Sequence, residues 1–352
     1  MRNYEICLKL RLGLELIGAL NVLDSKRPQR RLPRIMHIGM GLVCGNKIRD
    51  MVDAGFHFII FLADWHSWIN NKLGGKMENI RICGEYFKDC FTALGLPSEK
   101  VEYLWASDIA KEIEYWEKVV RIAKSASLRR TWRALPIMGR EMDLSDMETA
   151  WVFYPCMQAA DIFHMKLDVA CAGIDQRKAH MLARDTAEKL NWKKPICVHT
   201  PLIMGLQGPV WEERRYDEDR ALNLAISSKM SKSKPGSCIF VHDNPEDIRR
   251  KVRNAYCPPK NIEENPVLQL AQHTVFPRVD RLEIKRPEKY GGTVVYESYA
   301  ELEKDYVEGR IHPLDLKNGV ADALIEILAP VREYFKRKPD NLNKMLKIEV
   351  TR

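Results

Sequence analysis

Two short stretches carry side chains that could do chemistry together. The first is K-M-S-K-S-K-P-G-S, Lys229 to Ser237. Lys229 and Lys232 stand among Met230, Ser231 and Ser233, after a polar stretch, E-E-R-R-Y-D-E-D-R-A-L-N, that reads as a loop. A loop of this kind can close over a polyphosphate, where its ammonium groups offset the charge that builds on a leaving pyrophosphate. The same composition also suits a solvated linker, so the loop needs support from elsewhere in the chain. The second stretch is Y-P-C-M-Q-A-A-D, Tyr154 to Asp161. If Tyr154 begins a helix with Pro155 in its first turn, Gln158 and Asp161 fall at i+4 and i+7 on one face. A phenol, an amide and a carboxylate then line up. The aspartate can accept from a phenolic hydroxyl, while Tyr154 and Gln158 can reach an ammonium group. By spacing alone, an amphipathic helix with an exposed polar face is the stronger reading. A third stretch, R-P-Q-R-R-L-P-R-I-M-H-I-G-M from Arg27 to Met40, ends in His37 and Gly39. A histidine near a helix N-terminus suits phosphate contact, whereas the arginines and prolines before it suit a basic arm.

Such side chains need a scaffold. F-I-I-F-L-A, residues 58–63, is apolar throughout and suits a strand buried on both faces. L-D-V-A-C-A-G (167–173) and P-I-C-V-H-T-P-L-I (195–203) are two further short apolar runs, with a long helix-forming stretch between them. Strand, helix, strand at this spacing predicts a doubly wound α/β domain with a parallel sheet. Gln176 then lies just beyond a strand's carboxyl end, where such sheets bind ligands. Residues 108–150 read as a helical insertion between the halves of the sheet. After about residue 235 the character changes. Asn244 and Pro245 look like an N-cap and first helical position. Leu316, Val320, Leu324 and Leu328 form a helical stripe that Pro330 ends or bends. The expected organisation is 1–235 as an α/β domain and 236–352 as a mostly helical one.

Bulk properties agree with a two-domain soluble protein. The chain has 352 residues, 45% hydrophobic and 30% charged, which is enough for real cores. Its formal charge of +8 permits a polyanionic partner without demanding one. The nine cysteines form no C-x-x-C pair and no zinc-spaced cluster, so reduced, mostly buried thiols are expected, with a cytoplasmic location. No apolar run reaches membrane-spanning length. The start of the chain is broken by Arg, Lys and Glu and does not read as a signal peptide.

The segment from Tyr154 to Asp185 resembles the hallmark of archaeal and eukaryotic-type tyrosyl-tRNA synthetases. Their pattern runs Y-P-x-M-Q-x-x-D-I and later G-G-x-D/E-Q-R-K-x-H-M-L-A-R. Here it stands as Tyr154, Pro155, Met157, Gln158, Asp161 and Ile162, then Gly173, Asp175, Gln176, Arg177, Lys178 and His180 to Arg184, with Ala172 in place of the first glycine. Lys229 to Ser233 is similar to the signature loop of class I aminoacyl-tRNA synthetases. F-L-A-D-W-H-S-W-I-N and the stretch beginning I-K-R-P-E-K-Y-G-G extend the likeness to roughly residues 46–335. The resemblance implies a Rossmann-like catalytic domain with a C-terminal anticodon-binding domain. It implies that Tyr154, Gln158 and Gln176 hold the amino group of tyrosine and that Asp161 binds its hydroxyl. It assigns ATP to Lys229, Met230, Ser231, Lys232 and Ser233, with His37 and Gly39 alongside, and makes Lys229, Lys232 and His37 the expected catalytic residues. Mg²⁺ would come with ATP, held largely by phosphate oxygens, so no permanent metal site is expected. Arg177 is expected near the acceptor stem of tRNA(Tyr), and His312 and Asp315 on the anticodon-reading surface. A homodimer joined through the helical insertion is implied as well.

The same pattern has a departure. The family carries Y-x-G-x-E-P-S-G shortly before its H-x-G-H, and that tyrosine lines the amino-acid pocket. The residues just before His37 contain no tyrosine, glycine or glutamate, and Pro28 and Pro33 suit a central strand poorly. The likeness is expected to resume near Lys47. Residues 24–46 therefore read either as an altered coding segment or as a basic surface arm, and weakened tyrosine activation is expected. A tryptophan-specific relative and a tRNA-binding protein without catalysis are the rival functions. Among the remaining candidates, His57 reads as a strand-edge histidine, and His66 could line the pocket. The basic helix 124–135 could meet tRNA phosphates, and Trp116, Trp132 and Trp151 suit a core.

Overall fold

The computed structural model describes residues 36–96, 99–138, 147–210, 219–231 and 235–348, with the backbone of 11–15. Five parallel strands, β1 (Arg11–Glu15), β2 (His57–Leu62), β3 (Val101–Trp105), β4 (Val169–Gly173) and β5 (Ile196–Thr200), form one sheet in the order β3-β2-β1-β4-β5. The order reverses between β1 and β4, which is where a doubly wound sheet opens its ligand crevice. β2 is apolar because both of its faces are covered: Phe58 to Leu62 are all buried. β3, V-E-Y-L-W, escaped the sequence reading because its middle is polar and half-exposed.

The central strand is a correction. The family pattern places it just before His37, but β1 is Arg11–Glu15, paired with β2 from Arg11↔His57 to Glu15↔Phe61 and with β4 from Leu12↔Val169 to Leu14↔Cys171. It reads R-L-G-L-E, so the glycine and glutamate expected of Y-x-G-x-E are present as Gly13 and Glu15. Arg11 stands at the place of the tyrosine. The arginine-rich stretch and its prolines lie outside the described residues. The chain also joins the core before Lys47. Met36 and Ile38 are fully buried and pair with Ile239 to Val241 through Ile38 N–H to Ile239 O and Val241 N–H to Met36 O, each 3.0 Å. Gly39–Cys44 is a π-helical turn that runs straight into α1 (Gly45–Asp53).

After β2 come α2 (Asp64–Ile69) and α3 (Met77–Ala93); after β3 come the short α4 (Ala106–Ile109), α5 (Ile113–Ser125), α6 (Leu128–Ala134) and α7 (Ala150–His164). α8 (Arg177–Leu190) joins β4 to β5, and α9 (Arg220–Ser228) precedes the lysine loop. The end of the stretch read as a loop is therefore helical, capped by Asp219, whose carboxylate accepts from the N–H groups of Ala221 and Leu222. Beyond the loop lie α10 (Pro245–Arg253), α11 (Pro266–Leu270), a hairpin of Leu282–Ile284 with Val294–Tyr296, and α12 (Tyr299–Glu308). α13 (Pro313–Ile327), α14 (Ala329–Arg337) and α15 (Asp340–Leu346) complete the chain.

Asn244 caps α10 by accepting from Asp247 N–H at 2.8 Å, with Pro245 first in the helix. The stripe Leu316, Val320, Leu324 and Leu328 is fully buried, each side chain contributing roughly 1.5–3 kcal/mol. Pro330 lies in the first turn of α14, so the stripe ends where α13 does. One apolar core runs from Ile38 and Phe61 through Val241 to Leu324. The eight described cysteines are all free thiols. Among the described residues no helix is long and apolar enough to cross a membrane.

Candidate active site

α7 starts at Ala150, so Tyr154 and Pro155 lie in its middle rather than its first turn. The spacing argument survives this shift because one helix still carries all three residues. Tyr154, Gln158 and Asp161 are all buried, so the exposed polar face that spacing alone favoured is absent. Asp161 is the centre of the cluster. Its Oδ1 accepts from the Tyr115 hydroxyl at 2.9 Å, and its Oδ2 stands 3.0 Å from His66 Nε2. His66 is fully buried on α2 and meets the Tyr154 ring edge-on, with centroids 5.3 Å apart. Gln158 Nε2 donates to Gln176 Oε1 at 3.1 Å, while Gln158 Oε1 is buried with no hydrogen-bond donor among the described residues. That oxygen is an acceptor an ammonium group would satisfy. Gln158 and Asp161 open on a small cavity whose other walls include Phe61, Ile162 and Leu167. The cavity is about 20 Å³, room for a hydroxyl-sized group beside the two polar anchors.

Tyr115 was missed by the sequence reading. It lies in the helical insertion, E-I-E-Y-W-E, where nothing separates a buried phenol from an ordinary amphipathic position. His66, weighed only as a residue that could line the pocket, is part of the cluster. His57 is a strand-start histidine, as read, half-exposed and 2.9 Å from Glu102 Oε2.

A second cluster forms at the carboxyl ends of β4 and β5. Asp175 and Gln176 sit in the turn that leaves β4, and the Asp175 carboxylate is 2.7 Å from the Lys229 ammonium. A Cβ at Gly173 would fall 2.6 Å from Asp175 Oδ1, so glycine there leaves room for the carboxylate. Lys229 makes an antiparallel bridge with Met204, and Met230 N–H donates to Ile203 O at 2.6 Å. Met230 is buried and Ser231 half-buried, while Lys232 and Ser233 lie outside the described residues. The segment after the loop leads to the His37 region, since His37 bridges Phe240. The His37 carbonyl accepts from the N–H groups of Met40 and Gly41 at 3.0 and 2.9 Å. A Cβ at Gly39 would come within 3.0 Å of the His37 ring, so this glycine lets the imidazole fold back over the helix start. Backbone pairing thus fixes the histidine against Phe240 at the helix start, and the first lysine of the loop separately against Met204.

Burial sets the protonation of the histidines behind these clusters. His180 lies 3.1 Å from His199 and is pushed down to about 3, by burial first and then by His199. His199 is lowered by burial and by Arg177. Both imidazoles are neutral near pH 7. Among the described residues no group of three or more His, Cys, Asp or Glu is placed to hold a metal ion.

The three residues expected at tRNA lie on the surface. Arg177 opens α8 and is exposed. His312 is exposed and caps α13, its Nδ1 accepting from Leu314 N–H at 3.2 Å, with Asp315 in the first turn. In the basic helix, Arg130 is paired with Asp185 at 2.9 Å. Trp151 is buried and donates to Ile69 O, and Trp116 donates to Ala110 O, so both are structural.

Comparison with known proteins agrees with this arrangement. The family model described as tRNA synthetases class I (W and Y) matches residues 34–329. The tyrosine–tRNA ligase of Aeropyrum pernix is 49% identical over 299 residues, covering 85% of this chain and 81% of that protein. That of Thermococcus gammatolerans is 46% identical over 334 residues, covering 90% and 88%. The crystal structure of the Pyrococcus horikoshii tyrosyl-tRNA synthetase with L-tyrosine superposes with a TM-score of 0.84 at 39% identity, covering 96% of this chain and 91% of that one. The chain belongs to the class I tRNA synthetases of the tryptophan and tyrosine group.

Proposed function

We infer that the chain is a tyrosine–tRNA ligase. The observation that carries the reading is the buried Asp161, held by Tyr115 and His66 beside a small apolar cavity. A phenolic hydroxyl entering there joins a ready set of hydrogen bonds, whereas phenylalanine would leave the carboxylate without that partner. Tyrosyl-tRNA synthetases are the established example of such discrimination, about 10⁵ against phenylalanine. The indole N–H of tryptophan is also a donor, but the relatives at 46–49% identity are tyrosine–tRNA ligases.

The reaction has two steps. The tyrosine carboxylate attacks the α-phosphate of ATP in line and pyrophosphate leaves. A terminal ribose hydroxyl of tRNA(Tyr) then attacks the tyrosyl carbonyl. The protein supplies position and charge. Tyr154, Gln158 and Gln176 hold the amino group, Asp161 holds the hydroxyl, and His37, Gly39 and Lys229 to Ser233 handle ATP. Mg²⁺ arrives with ATP on phosphate oxygens and needs no dedicated protein cage. Arg177 takes the acceptor stem, and His312 and Asp315 take the anticodon. The division into a catalytic part, 1–235, and an anticodon-binding part, 236–352, belongs to this reading, as does a cytoplasmic location. A homodimer through the helical insertion is supported by apolar side chains left exposed there, Ile113 at 81% and Leu128 at 65%.

The test is ATP–pyrophosphate exchange with tyrosine, phenylalanine and tryptophan in turn, followed by transfer to tRNA. Exchange with tyrosine alone is expected. Exchange that prefers tryptophan overturns the amino-acid assignment, and steeply salt-dependent tRNA binding without exchange leaves a binding protein.

A further inference from the structure

The contact between Lys229 and Asp175 joins two motifs that are separate in sequence, the signature loop and the turn after β4. The Lys229 backbone is fixed before any ligand arrives. It bridges Met204, and on either side of it Gly205 N–H donates to Ser228 O at 2.8 Å and Met230 N–H to Ile203 O at 2.6 Å. From that anchor the side chain reaches the Asp175 carboxylate, 2.7 Å away, with the two side chains only 17% and 13% exposed. The carboxylate is itself confined, because the space beside it exists only through the missing side chain of Gly173. His199 and Cys44 are titratable groups that feel its charge, and Arg177 acts on the same His199. A free lysine samples many rotamers, and one held by a mostly buried carboxylate does not.

We propose that Asp175 is a positioning residue for the activation step, its carboxylate holding the Lys229 ammonium over the carboxyl ends of β4 and β5 so that the lysine is in place when pyrophosphate leaves. The proposal rests on the reading of Lys229 as a phosphate-facing residue. Asp175 makes and breaks no covalent bond. It acts through Lys229, which exchanges one anionic acceptor for another when ATP binds.

The test uses the full chain and four proteins: the parent, Asp175→Asn, Lys229→Ala and the double variant. Each single change is expected to lower kcat for tyrosine-dependent exchange by about 100-fold, with tyrosine affinity measured by calorimetry held within about twofold of the parent. The double variant is expected to be no slower than Lys229→Ala alone, because both changes remove the same placed ammonium. Asp175→Glu should recover part of the rate. A double variant whose loss is the product of the single losses overturns the proposal, as does Asp175→Asn at the parental rate. Should Lys229→Ala keep the parental rate, the reading of the loop fails and the proposal falls with it; a silent Asp175→Asn beside an inactive Lys229→Ala removes the proposal alone. A second readout needs no turnover. Acylation of Lys229 in ligand-free protein, followed by mass spectrometry, should run several-fold faster in Asp175→Asn. Equal labelling in the two proteins would show that the carboxylate holds nothing.

Discussion

The two walls of the crevice are made differently. The α7 wall draws Tyr154, Gln158 and Asp161 from one buried helix and gives Asp161 two partners from α2 and α5. The β1 wall is a strand that reads R-L-G-L-E between two partners, with the arginine-rich stretch of the sequence between it and Met36. β1 still takes the central position, because a parallel strand is recognised by backbone hydrogen bonds that almost any residue supplies. A pocket is recognised by side chains. A strand can therefore keep its place in the sheet while its residues change, and the sequence has Arg11 where the family pattern has tyrosine.

The largest loss is expected from the α7 wall. Asp161→Asn keeps the shape and removes the charge. Its kcat/KM for tyrosine in pyrophosphate exchange should fall by roughly 10³, with discrimination against phenylalanine shrinking in step. Parental selectivity in this variant would move the hydroxyl site elsewhere. Tyr115→Phe removes one donor to a charged acceptor, a change of about 1.5–3 kcal/mol. The matching expectation is a drop in kcat/KM of about 10- to 100-fold, read in the same assay. A silent Tyr115→Phe would mean that Asp161 needs no support from the insertion.

The β1 wall should respond in the opposite direction. Arg11→Tyr restores the family residue and is expected to raise kcat/KM for tyrosine by up to about tenfold, the value of one neutral hydrogen bond. A parent already working in the usual synthetase range, with no gain on restoring tyrosine, would show the two walls to be equal partners after all.

What could be read in the sequence follows the same division. The α7 residues were legible because one helix holds them at fixed spacing, and a family pattern names them. The strands β2, β4 and β5 were legible as short apolar runs. Asn244 and the Leu316 stripe follow local capping and periodicity rules, so they too were visible. β1 was not, because its five residues carry an arginine and a glutamate and lie more than twenty residues before His37, where the usual spacing does not look. Tyr115 and the Lys229–Asp175 pair are tertiary facts. Their partners lie 46 and 54 residues away, and no local pattern announces them.

Acid stability tests whether the α7 wall depends on buried polar groups from behind. His180 on α8 supports that wall and is held neutral, its value lowered from 6.5 to about 3. The unfolded chain takes up this proton near pH 6.5, and the folded chain does not until about pH 3. The stabilisation is therefore complete above 6.5 and is lost as the pH falls through that window. The slope for one such proton is at most about 1.4 kcal/mol per pH unit. His242 is also lowered, to about 4, by burial and Lys251, so the whole protein should lose more than one proton's worth. His180→Gln should cut the steepness of Tm against pH between 6 and 4 by about one proton while leaving His242's share. An unchanged slope would mean that the His180–His199 pair opens to solvent before the protein unfolds, and that the α7 wall is less rigidly backed than its burial suggests.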